Sequence, residues 1–232
     1  RRKLTEIPLL AKSNNLGSAP MVAANPAQQF LVHCSNGAAT ARAPALFVAS
    51  DFCRRPGFGR HHPLSIPRVS AVLELCAALG WVDDGCMRTS RVATADELGR
   101  HHDADYIEAL RASDAAGRVE PGVRARHGFG NFENPLFPGV FERAATAVGG
   151  SILAAELALE GRVAFHPAGG THHGRRDRAS GFCYFNDPVF AIGRLLDGGV
   201  SRVLYVDLDA HHGDGVQEAF LDEPRVRVVS IH

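Results

Sequence analysis

The sequence lacks the features that mark a membrane protein, a secreted scaffold or a nucleic-acid binder. No apolar run approaches the ~20 residues that span a bilayer, and RRKLTEIPLL begins basic without a sustained apolar core, so neither a membrane segment nor a signal peptide is predicted. The 25 basic and 25 acidic residues leave no net charge, which argues against direct nucleic-acid binding. Five cysteines without a CxxC pair disfavour a disulfide framework and favour a reducing, cytoplasmic compartment.

The composition is otherwise that of a globular protein, with 45% hydrophobic and 22% charged residues. Twelve histidines are more than such a chain usually carries, and they direct attention to metal or proton chemistry. Residues 1–44 show little periodicity and are rich in Ala, Asn and Ser. We therefore predict a poorly ordered extension over 1–44 and a folded domain over 45–232.

Strands and helices alternate in the predicted domain. Turn-bounded apolar runs predict strands at 45–50, 163–165, 202–209 and 226–231. Helices are predicted from Pro67 to before Gly80, around Tyr106 after a Thr94–Glu97 capping box, over about 139–160, and from an Asp187 N-cap to before Gly198. The Gly- and Pro-rich stretch 117–139 is predicted to be a long loop. This alternation indicates an α/β domain with a parallel sheet, whose sites lie at the carboxyl ends of strands.

Two polar segments follow predicted strands. In DLDAHHGDG, alternation along a strand directs Asp207, Asp209 and His211 to one side, and an Asp oxygen with a His nitrogen suits Zn²⁺. In HPAGGTHHG, His172 and His173 follow a Gly-Gly pair. A histidine that acts as a base needs a carboxylate on its other nitrogen, and Asp207 and Asp214 offer one for each. The alternatives are a polar strand end that hydrogen-bonds a loop and an exposed histidine pair.

These segments carry a resemblance to a known family. HPAGGTHHGRRDRASGFCYFNDP, VLYVDLDAHHGDGVQEAF and VVSIH resemble the zinc-dependent histone deacetylases, most of all the bacterial branch that includes acetoin utilization proteins. GRHHPLSIPR and ENPLFPG extend the similarity, which covers roughly 45–232. The resemblance implies an arginase/deacetylase-like α/β fold, with a central, mostly parallel sheet flanked by helices and incomplete at the C-terminus.

The resemblance also implies roles for individual residues. The catalytic set is His173 as general base and acid, His172 as its electrostatic partner, and Asp214 and Asp207 as their respective carboxylates. The zinc ligands are Asp209 and His211. A monovalent-cation site, usually potassium, is matched by Asp207 and Ser230 with the carbonyls of Asp209, His211 and Ile231, and a second by the carbonyls of Phe220 and Val226. The substrate residues are Gly181 and Phe182 in the acyl-lysine tunnel, Glu133 at the rim, where the family often has Asp, and Arg68 at the acetate channel.

The implied function is zinc-dependent hydrolysis of an N-acetyl amide, either acetyl-lysine in a protein or an acetylated polyamine, with release of acetate. The family's third zinc ligand, an Asp, and its Tyr or His oxyanion donor follow the DxDxHHGDG strand and are not in this sequence. We therefore expect a fragment without useful activity of its own. Two alternatives remain: a binuclear manganese ureohydrolase, which needs an Asp where Gly213 stands, and a non-catalytic acetyl-lysine-binding relative. No membrane partner is expected, the oligomeric state is open, and His61, His62, His101 and His102 are predicted to be structural or surface residues.

Overall fold

The computed structural model describes residues 44–55, 57–59 and 61–232. The extension predicted over 1–44 therefore lies, except for Pro44, outside the described residues. The strands are β1 (Leu46–Ala49), β2 (Met87–Thr89), β3 (Ala164–Phe165), β4 (Val203–Asp207) and β5 (Val226–Ser230). The helices are α1 (Asp51–Arg54), α2 (Arg68–Ala78), α3 (Ala95–Leu98), α4 (Ala104–Ala116), α5 (Pro121–His127), α6 (Val140–Leu159), α7 (Asp187–Asp197) and α8 (Asp214–Ala219), with a 3₁₀ turn at Pro63–Ser65.

Every strand pair among the described residues is parallel. One sheet has the order β2-β1-β3, with Phe47 beside Met87 and Leu46 beside Ala164. The second sheet pairs β4 with β5, and its register ends with Asp207 beside Ser230. Helices flank both sheets, so the predicted α/β class with a parallel sheet is confirmed.

The long helix α6 forms the centre of the packing. Its buried positions contact α7 and the strands β1 and β3. Gly149 lets α6 approach the segment that follows β2, because a Cβ there would lie 2.0 Å from the Arg91 carbonyl oxygen. Across the fold, Tyr106, Phe129 and Phe185 are almost fully buried and form an aromatic core beside the loop that carries His172.

The β4–β5 pair buries one face and exposes the other. Val203 and Tyr205 pack toward α7 and α8, whereas the alternate residues Leu204 and Val206 are 64% and 47% exposed. The outer face of this strand pair is therefore apolar and open to solvent. Separately, no helix in the described part of the chain is long and apolar enough to cross a membrane.

Several predicted boundaries were wrong. Residues 117–139 are not a continuous loop, because Pro121 opens helix α5 and Gly128, at φ 68°, ends it. These Pro and Gly residues mark the ends of a helix, not a loop. The Thr94–Glu97 capping box is present, but it begins the short helix α3 and not the helix of Tyr106. Helix α7 includes Asp187 and has Asn186 as its N-cap, one residue earlier than predicted.

Candidate active site

The two polar segments meet where β3 and β4 end. The loop after β3 carries His172 and His173, and the turn after β4 leads into α8. Gly213 closes that turn directly against Asp207, since a Cβ there would lie 2.3 Å from Asp207 Oδ2 and 3.5 Å from His172 Nδ1. Only glycine fits this approach. The turn therefore forms one wall of the site.

His172 is bound to Asp207 in a buried pair. Its Nδ1 lies 2.7 Å from Asp207 Oδ2, and both residues are almost fully buried. The same carboxylate accepts the Tyr205 hydroxyl (2.8 Å) and the Asp209 N–H (3.0 Å). Burial raises the pKa of Asp207, but these hydrogen bonds outweigh burial and hold the pKa below its ordinary value. A carboxylate can only accept, so the His172 proton is on Nδ1.

His173 forms a second pair, with Asp214 at the start of α8. Nδ1 lies 2.6 Å from Asp214 Oδ1, which also accepts the Gly215 N–H. The Arg175 guanidinium donates to the other carboxylate oxygen at 2.5 Å and also pairs with Glu218. Burial raises the pKa of Asp214, yet the bond to His173 and the Arg175 charge leave it lowered. Asp214 is therefore a fixed acceptor for the His173 Nδ1–H.

The two imidazoles lie side by side, with ring centroids 4.1 Å apart. Each has its Nδ1 proton bound to a carboxylate, and no described residue hydrogen-bonds either Nε2. An imidazole held in this way accepts a proton at Nε2 and later returns it. The arrangement is thus suited to general acid–base chemistry.

Asp209 and His211 lie beside this pair but are much more exposed. Asp209 Oδ1 is 3.0 Å from His211 Nδ1 and 3.9 Å from His172 Nε2. The shorter contact is a hydrogen bond from His211 Nδ1–H to the Asp209 carboxylate. Two ligands of a tetrahedral zinc ion lie about 3.3 Å apart, so a zinc ion that replaced the shared proton would meet both atoms with little change in their separation. Among the described residues, no group of three or more His, Cys, Asp or Glu side chains could hold a metal. The prediction that strand alternation aligns Asp207, Asp209 and His211 is wrong, because β4 ends at Asp207; a turn brings Asp209 and His211 together.

Gly181 and Phe182 form a tight turn against His173. Ser180 and Cys183 pair across it, and both turn residues have positive φ (54° and 68°). A Cβ on Gly181 would lie 2.3 Å from His173 Cδ2. Its N–H donates to Glu133 Oε1 at 2.8 Å, so the predicted tunnel and rim residues are in contact. Phe182 is the one non-glycine residue with positive φ in the described chain, a strained conformation of the kind that gathers at functional sites.

The remaining predicted residues are those of the two cation sites and of the acetate channel. Asp207 and Ser230 are neighbours in the β4–β5 register, and the Ile231 N–H donates to the Asp207 carbonyl. Phe220 caps the end of α8, and Val226 begins β5. Arg68 is exposed and donates to the Pro63 carbonyl, with no bond to the histidine pair among the described residues. The cation and channel roles of these residues remain predictions.

Several residues that hold the site were not assigned from sequence. Tyr205 stands two residues before Asp207 on the same strand, so strand alternation could have identified it. Arg175, two residues after His173, had no such signal, because its contact with Asp214 joins distant segments. Asn186 and Asp187 lie within the motif GFCYFNDP without an assigned role at the site. His62 and His102 are buried with hydrogen bonds to backbone groups, as their predicted structural role requires.

Two parallel sheets whose strand ends bring together two carboxylate-bound histidines define the class: an α/β protein with a paired-histidine site suited to acid–base chemistry. A family profile described as the histone deacetylase domain matches residues 62–232. The chain is 40% identical over 191 residues to the acetoin utilization protein AcuC of Bacillus subtilis (strain 168) and 36% identical over 167 residues to histone deacetylase 8 of Xenopus tropicalis. The chain therefore belongs to the histone deacetylase family, and the predicted similarity to the acetoin utilization branch is confirmed.

Solved structures agree with this assignment. The crystal structure of an HDAC homolog from Aquifex aeolicus matches with a TM-score of 0.78 at 40% identity, and an HDAC homolog complexed with SAHA matches with 0.77 at 41%. Each match covers 82% of this chain and 51% of the other. The two sequence relatives are covered over 49% and 45% of their length. The chain thus spans about half the length of the curated relatives it matches, and its predicted deacetylase-like fold is confirmed.

Proposed function

We propose that this protein, in a form that spans the length of its relatives, hydrolyses N-acetyl amides. The reaction depends on zinc and releases acetate. The observation that carries the proposal is the pair of histidines whose Nδ1 atoms are bound to separate carboxylates, 2.7 Å and 2.6 Å away. Amide hydrolysis needs one proton removed from water and one delivered to the leaving amine. Two adjacent imidazoles with available Nε2 atoms suit both transfers.

His173 is the better candidate for both proton transfers. Its side chain is 17% exposed, against 8% for His172, so its imidazole is the more accessible to solvent. His173 takes a proton as water attacks the acetyl carbonyl, and Asp214 stabilises the imidazolium that results. The same Nε2 then gives the proton to the departing amine. His172 remains beside it, its Nδ1–H fixed by the buried Asp207.

Asp209 and His211 are the residues that would hold zinc. A carboxylate and an imidazole are ordinary zinc ligands, and these two share a hydrogen bond of 3.0 Å whose proton the metal would replace. Zinc bound there supplies Lewis-acid polarisation of the acetyl carbonyl. Two potassium sites remain proposed. One consists of Asp207 and Ser230 with the nearby backbone carbonyls, and the other of the carbonyls of Phe220 and Val226.

The substrate carries its acetyl group on a flexible amine. The Phe182 ring packs edge-on against His62, with centroids 4.7 Å apart, and provides an aromatic wall for a methylene chain. Glu133 lies at the same rim through its bond to Gly181. The related proteins are an acetoin utilization protein and a histone deacetylase by name, which fits acetyl-lysine in a protein or a small acetylated amine. Arg68 remains the proposed acetate-channel residue.

The ureohydrolase alternative gains no support. That class needs a carboxylate where Gly213 stands, and a Cβ at this position would lie 2.3 Å from Asp207 Oδ2. A side chain there would displace the carboxylate that holds His172. A non-catalytic binding module would not need two intact His–Asp pairs, so hydrolysis is the better proposal.

The test uses a form of the protein that spans the full length of its relatives, assayed with an acetyl-lysine peptide and an N-acetylated polyamine. His173→Gln should lower kcat by about 10²- to 10⁴-fold, because the proton transfers lose their base. Glu108→Gln, at an exposed position on α4, is the matched control and should keep the activity. Acetate release that is unchanged in His173→Gln would contradict the proposal.

Zinc binding is tested separately on the 232-residue chain. Isothermal titration with zinc should show weaker binding in Asp209→Ala than in the unmodified chain, since one of two converging ligands is lost. Asp222→Ala removes another Asp side chain and serves as the control. Equal zinc affinity in all three proteins would contradict the assignment of Asp209.

A further inference from the structure

We propose that Asn186 and His102 form a buried positioning unit that fixes the backbone on both sides of His173 and aligns it with Asp214. This inference rests on the proposed function, because it assumes that His173 carries the proton transfers. The described hydrogen bonds of both side chains run to backbone groups and not to either Nε2, so their action is on the geometry of the loop that carries His173.

Asn186 binds the backbone of the loop that carries His172 and His173. It is fully buried, and its Nδ2 donates to the carbonyls of His172 (3.1 Å) and Gly174 (2.9 Å), the residues that flank His173. Its Oδ1 has no hydrogen-bond partner among the described residues. Leaving a buried carbonyl oxygen unpaired costs stability. The polar contacts of this side chain are therefore devoted to the two loop carbonyls.

His102 binds the same loop two residues further along, at Arg176. Its Nε2 accepts the Asn186 N–H at 3.1 Å, so the ring proton is on Nδ1, which donates to the Arg176 carbonyl at 3.2 Å. The carbonyls of His172, Gly174 and Arg176 are thus bound in succession, at every second residue. Burial lowers the pKa of His102 to about 3, which keeps the ring neutral and its Nε2 an acceptor at ordinary pH.

The unit also contacts the helix that carries the carboxylate partner of His173. A Cβ on Gly215 would lie 2.5 Å from the His172 carbonyl oxygen and 2.7 Å from both Asn186 Nδ2 and the Gly174 carbonyl oxygen. Gly215 directly follows Asp214 in α8. The first turn of α8 therefore rests on the atoms that Asn186 holds. This common contact sets the separation of His173 Nδ1 and Asp214 Oδ1.

A purely structural buried asparagine would affect stability alone, and the chain offers such a residue as a control. Asn134 is 1% exposed, its Nδ2 donates to the Gly128 carbonyl at 3.0 Å, and its Oδ1 also lacks a partner among the described residues. Its bonds do not involve the histidine loop. Asn186→Ala and Asn134→Ala thus remove similar side chains from similar surroundings.

The readout is the pair of imidazole Nδ1–H protons that bind Asp207 and Asp214. In the 232-residue chain with ¹⁵N-labelled histidine, these protons are assigned from their loss in His172→Gln and His173→Gln. In Asn186→Ala, the His173 proton should exchange with water at least about tenfold faster, because the loop opens locally. In Asn134→Ala, the exchange should match the unmodified chain, even where urea unfolding shows an equal loss of stability. Unchanged exchange in Asn186→Ala, or equal acceleration in both, would overturn the proposal.

Substitutions of His102 test the proposal even where Asn186→Ala does not fold. His102→Gln keeps an oxygen near the Nε2 position to accept the Asn186 N–H, whereas His102→Asn keeps only a donor near Nδ1. Faster exchange of the His173 proton is expected in His102→Asn and a smaller effect in His102→Gln. Equal behaviour of the two variants would contradict the described role of Nε2.

Activity separates this inference from the proposed function. In the full-length form, Asn186→Ala should lower kcat by about 10- to 100-fold with little change in KM, because a small misplacement of the base slows the chemical step. Faster proton exchange in a protein without deacetylase activity would refute the function and leave the positioning unit intact. Full activity with unchanged exchange in Asn186→Ala would refute the positioning unit alone.

Discussion

Replacement of Gly181 by alanine should displace His173 and destabilise the domain. The added Cβ would lie 2.3 Å from His173 Cδ2 and 2.6 Å from Cγ, well inside van der Waals contact. The ring cannot retreat freely, because its Nδ1 is bound to Asp214 2.6 Å away. Gly181 also has φ 54°, which costs a residue with a Cβ about 1–2 kcal/mol. Overpacking adds about 1–3 kcal/mol.

Gly117→Ala separates the two contributions. Gly117 has φ 65° at the end of α4, and a Cβ there would meet nothing within 4 Å. It therefore reports the cost of the left-handed backbone, and it shares with Gly181→Ala the change in unfolded-chain entropy. The difference between the two variants is the contact with His173, about 1–3 kcal/mol.

Urea unfolding followed by circular dichroism measures this difference. With an m-value of about 2 kcal/mol/M, the Gly181→Ala midpoint should fall about 0.5–1.5 M below that of Gly117→Ala. The His173 imidazole signals should also shift in Gly181→Ala alone. Coincident midpoints, with unchanged His173 signals, would refute the conclusion that the Gly181 backbone rests on this ring.

Two further perturbations test buried polar groups near the site. Acid should destabilise the domain through His102. Burial lowers the pKa of His102 to about 3 in the folded protein, whereas a histidine in the unfolded chain binds a proton below about pH 6.5. The free energy of unfolding then falls by up to about 1.4 kcal/mol per pH unit as the pH drops below 6.5, and urea unfolding of His102→Gln should show a shallower slope. An identical slope would contradict this. Asp187→Asn should cost about 2–4 kcal/mol, because Asp187 accepts from the N–H groups of Gly170 and Thr171 and from the Ser151 hydroxyl. Ser151→Ala removes one of these donors and should cost less; equal thermal unfolding of the two variants would count against the network.

The sequence predicted the elements that depend on local signals. Apolar runs located the strands at 46–49 and 226–230 to within a residue, and Pro67 and Gly139 marked the starts of two helices. That each histidine takes one carboxylate was predicted from the residues, because a base needs one and two were available; which of Asp207 and Asp214 goes with which histidine came from the family resemblance. The end of β4 was placed too late, since the apolar alternation continues through Leu208 although the ladder stops at Asp207.

Contacts between distant segments could not be predicted in this way. Asn186 reaches the carbonyls of His172 and Gly174 because α7 begins beneath the loop, and no local pattern encodes that approach. The same holds for Arg175, whose bond to Asp214 spans 39 residues. Residues of this kind are identified only once the tertiary arrangement is known.

The two halves of the site differ in how they are held. Asp207 receives three hydrogen-bond donors, and Asp214 receives His173, Arg175 and its own helix start. The half with the two histidines is therefore fixed by protein contacts, in a buried setting for His172 and Asp207 and a partly buried one for His173 and Asp214. Asp209 and His211 are 52% and 74% exposed in their side chains and contact mainly each other. If the histidines transfer protons as proposed, their fixed partners spare a rearrangement during the reaction, whereas the exposed Asp209 and His211 are free to adjust to a metal ion.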